Sequence, residues 1–124
     1  MESERIQEIF DCAIGYLPSG WKRAAFYFSF VGSMMSHIFY VDTGKGYVDC
    51  FRMGYRKEDL RQVFFLIKDI LSQERNSLPN DKVWNVFSLI VSSDGTFEAE
   101  YCYDDISETF VEHHQQWEKQ LVAQ

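Results

Sequence analysis

Residues 83–124 contain one basic residue, Lys119. The same stretch holds eight acids: Asp94, Glu98, Glu100, Asp104, Asp105, Glu108, Glu112 and Glu118. Residues 1–82 balance, with eleven Lys or Arg against eleven Asp or Glu, so the formal charge of −7 sits wholly in the last third. One-sided charge of this kind marks an interaction surface that suits a basic partner. It argues against nucleic acid as a direct ligand, because phosphates are repelled. Cysteine is scarce as well. Cys12, Cys50 and Cys102 are odd in number, far apart and form no C-x-x-C pair. That argues against a disulfide framework and a zinc site, and suits reduced thiols in a cytoplasmic protein. No apolar run approaches the roughly 20 residues of a membrane span, so no membrane partner is expected. The N-terminus, MESERIQEIF, has no basic segment leading into an apolar one, so no signal peptide is expected.

What the chain has in quantity is apolar and aromatic surface. Hydrophobic residues make up 46% and aromatic residues 17% of 124 positions. That excludes general disorder and predicts one domain, residues 1–124, with a sheet-rich core that needs no metal or disulfide. Ile6, Ile9, Phe10, Ala13, Ile14 and Leu17 recur at helical spacing, predicting a helix over 3–17 with Ser3 as its cap and Pro18-Ser19-Gly20 as its stop. Trp21–Val31 reads as a strand, with Ala24, Phe26, Phe28 and Phe30 on one face and Ala25, Tyr27, Ser29 and Val31 on the other. Gly32-Ser33 predicts a turn into a second strand, Met35–Val41. Asp42–Gly46 is a plain loop, and Tyr47–Phe51 is a short third strand. Arg56–Arg75 carries Leu60, Val63, Phe64, Ile67, Ile70 and Leu71 at spacings of three and four, predicting the longest helix.

The stretch Trp84–Glu108 organises the rest. Asp94-Gly95 lies between two alternating runs and predicts a hairpin with a two-residue turn, both central residues at positive φ. Phe97, Ala99, Tyr101 and Tyr103 then form a core face, and Thr96, Glu98, Glu100, Cys102 and Asp104 a carboxylate face. In that register Phe87 and Leu89 join the carboxylate face. Ser107 is placed to cap a last helix whose stripe is Phe110, His114, Trp117 and Leu121. The order α-β-β-β-α-β-β-α predicts an α+β fold, a single antiparallel sheet of about five strands with helices packed on it. Strand order is left open.

Catalytic patterns are weak. His113 and His114 are adjacent, about 100° apart on a helix, and no H-E-x-x-H pattern surrounds them, so no metal is expected. His114 falls on the apolar stripe and reads as a half-buried structural histidine. Asp104-Asp105 suits three uses: accepting backbone N–H groups at a helix start, binding a partner, or acid–base chemistry. No G-x-S-x-G or comparable nucleophile motif occurs. Arg52, Arg56, Lys57 and Arg61 cluster, but Glu58 and Asp59 interrupt them, which suits an ordinary helix surface better than a phosphate site. No cofactor is expected. The partner-binding set is Asp94, Glu98, Glu100, Asp104, Asp105, Glu108 and Glu112. A different class of function, an adaptor or ligand-binding domain with an aromatic-lined pocket, is suggested by the rings of Trp21–Tyr40.

Several residues carry a resemblance. Trp84, Ser88-Leu89-Ile90-Val91, Asp94-Gly95-Thr96-Phe97, Tyr101-Cys102-Tyr103-Asp104-Asp105-Ile106-Ser107-Glu108 and Trp117 resemble the YezG-like antitoxin (immunity) family, small acidic bacterial proteins that neutralise nuclease toxins. Leu17-Pro18-Ser19-Gly20-Trp21 is similar to that family's first helix-to-strand junction. The resemblance implies a non-catalytic role, binding and blocking a cognate toxin domain. The acidic residues are assigned to that partner from charge and alternation, with the free protein expected as a monomer or weak dimer.

Overall fold

The computed structural model describes residues 1–123. Its elements are α1 (Ser3–Ala13), β1 (Arg23–Val31), β2 (Met34–Asp42), β3 (Tyr47–Asp49), α2 (Lys57–Asn76), β4 (Val86–Ser92), β5 (Phe97–Cys102) and α3 (Phe110–Val122). Short 3-10 turns follow α1 and precede β4. The order is the one expected, and the five strands form one antiparallel sheet, β3-β2-β1-β4-β5. β1 is central because it is apolar on both faces: Ala24 through Phe30 are buried without a break.

Helices cover both faces. Ala24, Phe26, Phe28 and Phe30 pack with Ile6, Ile9 and Ala13 of α1 and with Leu60, Val63, Phe64, Ile67 and Leu71 of α2. Ala25, Tyr27 and Tyr40 on the other face meet Trp117 and Leu121 of α3. The rings of β1 and β2 fill these two cores; Phe26, Phe28 and Phe39 are wholly buried. Trp84 is buried too, against Phe30 and Phe87.

Helix starts differ from expectation. Glu2, not Ser3, is the N-cap of α1, and its carbonyl accepts the N–H groups of Arg5 and Ile6. α3 begins at Phe110 with Thr109 as N-cap, so Ser107 caps nothing. The Ser107 N–H instead donates to Asp105 Oδ1 at 3.0 Å, which makes a turn before the helix.

The β4–β5 hairpin corrects the predicted register. Ser92 N–H donates to the Thr96 carbonyl at 2.8 Å, so the loop has three residues, Ser93-Asp94-Gly95, and only Gly95 has positive φ, at 95°. The Gly95 N–H returns to the Ser92 carbonyl at 2.9 Å, the turn-plus-left-handed-residue form of a three-residue hairpin. One extra loop residue moves the opposing strand by one and changes which faces meet. Phe87 pairs with Tyr101 and Leu89 with Ala99, so Phe87 and Leu89 lie in the main core. Ser88 and Ile90, not Phe87 and Leu89, stand beside Glu100 and Glu98.

Candidate functional site

The edge strand β5 and helix α3 enclose a shallow groove. Glu98, Glu100 and Cys102 alternate into it from β5, as the spacing predicts, while Ala99 and Tyr101 turn to the main core. Its floor comes from Val86, Ser88 and Ile90, and its far wall from His113, Gln116, Trp117 and Gln120. The larger part measures about 190 Å³. That volume, open to solvent and lined by carboxylates and amides, suits the rim of a protein interface better than a small-molecule pocket of a few hundred cubic ångströms or more.

The acidic loop 103–109 closes one end. Two contacts hold it. Ile106 is buried against Tyr27 and Val86. Asn85 donates from Nδ2 to the Asp104 carbonyl at 2.8 Å. Asn85 Oδ1 in turn accepts from Arg75 at the end of α2, 3.0 Å away, and Arg75 also reaches the Trp84 carbonyl at 2.9 Å. The loop is thus tied through the sheet to α2. Neither Asn85 nor Ile106 stood out in the sequence; a lone apolar residue amid Asp104, Asp105, Ser107 and Glu108 was the available signal.

α3 is fixed by polar contacts from its two histidines. Tyr27 Oη lies 2.8 Å from His113 Nδ1. Tyr40 Oη donates to Glu118 and lies 2.9 Å from His114 Nε2, which leaves the phenol oxygen to accept an imidazole N–H. Burial raises both phenol pKa values, with Glu118 adding to that of Tyr40. Burial chiefly, with His113 assisting and Glu118 opposing, lowers the pKa of His114. His114 is half-buried on the stripe as expected, whereas the tie between His113 and Tyr27 was missed.

The seven predicted partner-binding residues spread along this end of the molecule. Asp94 is at the hairpin tip, Glu98 and Glu100 are in the groove, Asp104, Asp105 and Glu108 are on the loop, and Glu112 is in the first turn of α3. All seven are exposed, and none makes an ion pair among the described residues. Asp94 and Asp105 double as turn formers. Asp94 Oδ1 accepts the Thr96 N–H (2.9 Å) and hydroxyl (2.7 Å), and these bonds hold its carboxyl below the usual range. The N–H of Ser107 does the same for Asp105. Glu118 faces the sheet through Tyr40 instead of joining this set.

Apolar residues expected in the core appear here as well. Phe97 is 45% and Tyr103 57% exposed, and Phe110, the first residue of the predicted stripe, is exposed too. Phe97 begins β5 and borders an open groove with Ile6 and Phe10 of α1, Tyr103 follows the last residue of β5, and Phe110 begins α3. Phe97 and Tyr103 share the strand face of Ala99 and Tyr101, so they flank the carboxylate groove from the other side of β5. Among the described residues, no helix is long and apolar enough to cross a membrane, and no cluster of three or more metal-ligating side chains occurs.

No curated protein matches the chain. A family model described as "Immunity protein YezG-like" matches residues 3–121 and so takes in the sheet, all three helices up to Leu121, and the whole acidic end. The protein belongs to the YezG-like immunity protein family.

Proposed function

We propose that this chain is a cytoplasmic, non-catalytic inhibitor of a cognate nuclease toxin, and that it blocks the toxin's basic active-site cleft with the acidic end of the molecule. The observation that carries the reading is the set of seven exposed carboxylates without an ion-pair partner among the described residues. In the neutral front, five of the eleven acids, Asp42, Asp49, Glu58, Asp59 and Glu74, have a basic partner within 4.0 Å, and all eleven are matched in number by Lys or Arg, as the acids of the last third are not. Nuclease clefts attract phosphates and are therefore cationic, so Asp94, Glu98, Glu100, Asp104, Asp105, Glu108 and Glu112 stand in for phosphate oxygens there. Exposed Phe97, Tyr103 and Phe110 supply the apolar anchors that charge alone does not provide. The inhibitor acts as a monomer or weak dimer.

Co-expression with the nuclease toxin encoded beside it is the direct test. Cells carrying both are expected to grow, and cells carrying the toxin alone to die. Equal killing in the two cases would remove the reading for that pair.

A further inference from the structure

The opposite edge of the sheet is only partly paired. β3 covers Tyr40–Asp42 of β2, three of its nine residues. Beyond these, the Cys50 N–H donates to the Phe39 carbonyl at 2.9 Å. That carbonyl points away from β1. Backbone groups on an antiparallel strand alternate in direction, so the N–H and C=O of Met35 and His37 point the same way, along an open edge.

A groove of about 570 Å³ runs beside this edge, between β2 and α2. Met35, His37 and Phe64 line it, and the His37 ring stacks on Phe64 with centroids 3.6 Å apart. His37 Nδ1 is buried with no hydrogen-bond partner. Lys57, Arg61 and Lys68 stand along the groove. None of the three is ion-paired among the described residues, although Arg52 and Arg56 nearby are. Phe65, on the same side of α2, is 70% exposed.

We propose that this edge takes up an extended acidic segment of a partner protein as an added strand, continuing the line of β3. Its main chain pairs with Met35 and His37. Alternate side chains enter the groove over Phe64 and Phe65, and carboxylates meet Lys57, Arg61 and Lys68. A docked helix would leave the open backbone groups of β2 unused. The charge of the groove selects an acidic segment, the reverse of what the β5–α3 end selects. This site lies at the other sheet edge and does not depend on the toxin reading.

The test titrates the isotope-labelled full chain with a capped peptide of about eight residues, long enough to span a typical strand, in which every second position is valine or glutamate in turn and threonine fills the positions between, so that both apolar and acidic side chains face the groove. Amide shifts and slowed hydrogen exchange are expected at Met35, His37 and Phe39. Binding is expected to weaken at least tenfold when Arg61→Glu and Lys57→Glu are combined, both being exposed positions on α2. A peptide with lysine in place of glutamate is expected to bind at least tenfold more weakly. No shift at about 1 mM peptide, a concentration that detects even weak complexes, would overturn the proposal. So would shifts confined to the β5–α3 end, or equal binding of the lysine peptide. Concentration-dependent self-association of the free chain that protects the Met35 and His37 amides would overturn it as well, by making a second copy the occupant.

Discussion

Asp42 shows how one side chain organises a turn that the sequence reads as a plain loop. Its Oδ1 accepts the N–H groups of Gly44 (2.7 Å) and Gly46 (3.1 Å), and its Oδ2 pairs with Arg23 at 3.0 Å. Asp42 is buried, and the Gly44 N–H is the main cause of its lowered pKa. The folded pKa lies below the unfolded one, so this stabilisation is complete above the ordinary carboxylate range and is lost as pH falls through the folded value. Asp42→Ala should cost about 1–3 kcal/mol in urea denaturation at neutral pH, with two backbone donors and a guanidinium left unpaired. The difference from wild type should shrink at acid pH; a cost that stayed constant from neutral pH down to below ordinary carboxylate pKa values would mean the carboxylate is not the cause. Asp94 was legible as a turn residue for the same chemical reason, but the size of its loop was not. Asp-Gly serves two-residue and three-residue hairpins alike, and only the Ser92–Thr96 pairing decides between them. The placement of Phe87 and Leu89 hung on that single residue of register.

Among the elements, α1, α2 and the strands were readable because their apolar residues repeat on one face or alternate between two. α3 was readable only in part. Trp117 and Leu121 pack as the stripe predicts, but His113, off that stripe, also meets the sheet through Tyr27, and Phe110 at the start of the helix is left in solvent. Its polar ties come from side chains distant in sequence, Tyr27 and Tyr40, which periodicity within a helix does not reveal. These ties make the packing of α3 sensitive to pH. Around His114 stand Tyr27 (stacked, centroids 4.7 Å apart), Tyr40, Glu118 and His113. Its folded pKa lies below the ordinary 6.5, so the unfolded chain binds the proton more readily. The associated stability is present above the unfolded value and lost as pH falls through the folded one. The protection factors of the α3 amides, measured against intrinsic exchange at each pH, should therefore fall as pH drops below the ordinary histidine range, and His114→Gln should flatten that dependence. An identical pH profile in the variant would mean that His114 is not the cause.

At the scale of the whole molecule, charge was the most legible property, because it adds along the chain and needs no geometry. The split between a neutral front and an anionic end carries into the fold: Glu98 and Glu100 line the β5–α3 groove, and Lys57, Arg61 and Lys68, without an ion pair among the described residues, line the β2–α2 side. The open edge of β2 was not legible, since it follows from strand order and from how little of β2 the short β3 covers. A molecule polarised in this way should meet a cationic toxin by long-range attraction, which acts before any contact forms. Replacing Glu98, Glu100 and Asp104 with lysine tests this without threatening the fold, because all three side chains are exposed and make no ion pair among the described residues. Thermal unfolding should be nearly unchanged, as is usual for surface substitutions. The association rate with the toxin should fall at least tenfold at low salt, and its dependence on ionic strength should flatten, because screening then has less attraction to remove. Phe97→Ala and Tyr103→Ala should act on the other rate, raising dissociation while leaving the salt dependence of association intact, since apolar anchors work only after encounter. If the triple variant instead associates as fast as wild type at every salt concentration, the acidic end does not steer the partner, and the contact surface lies on another part of the sheet.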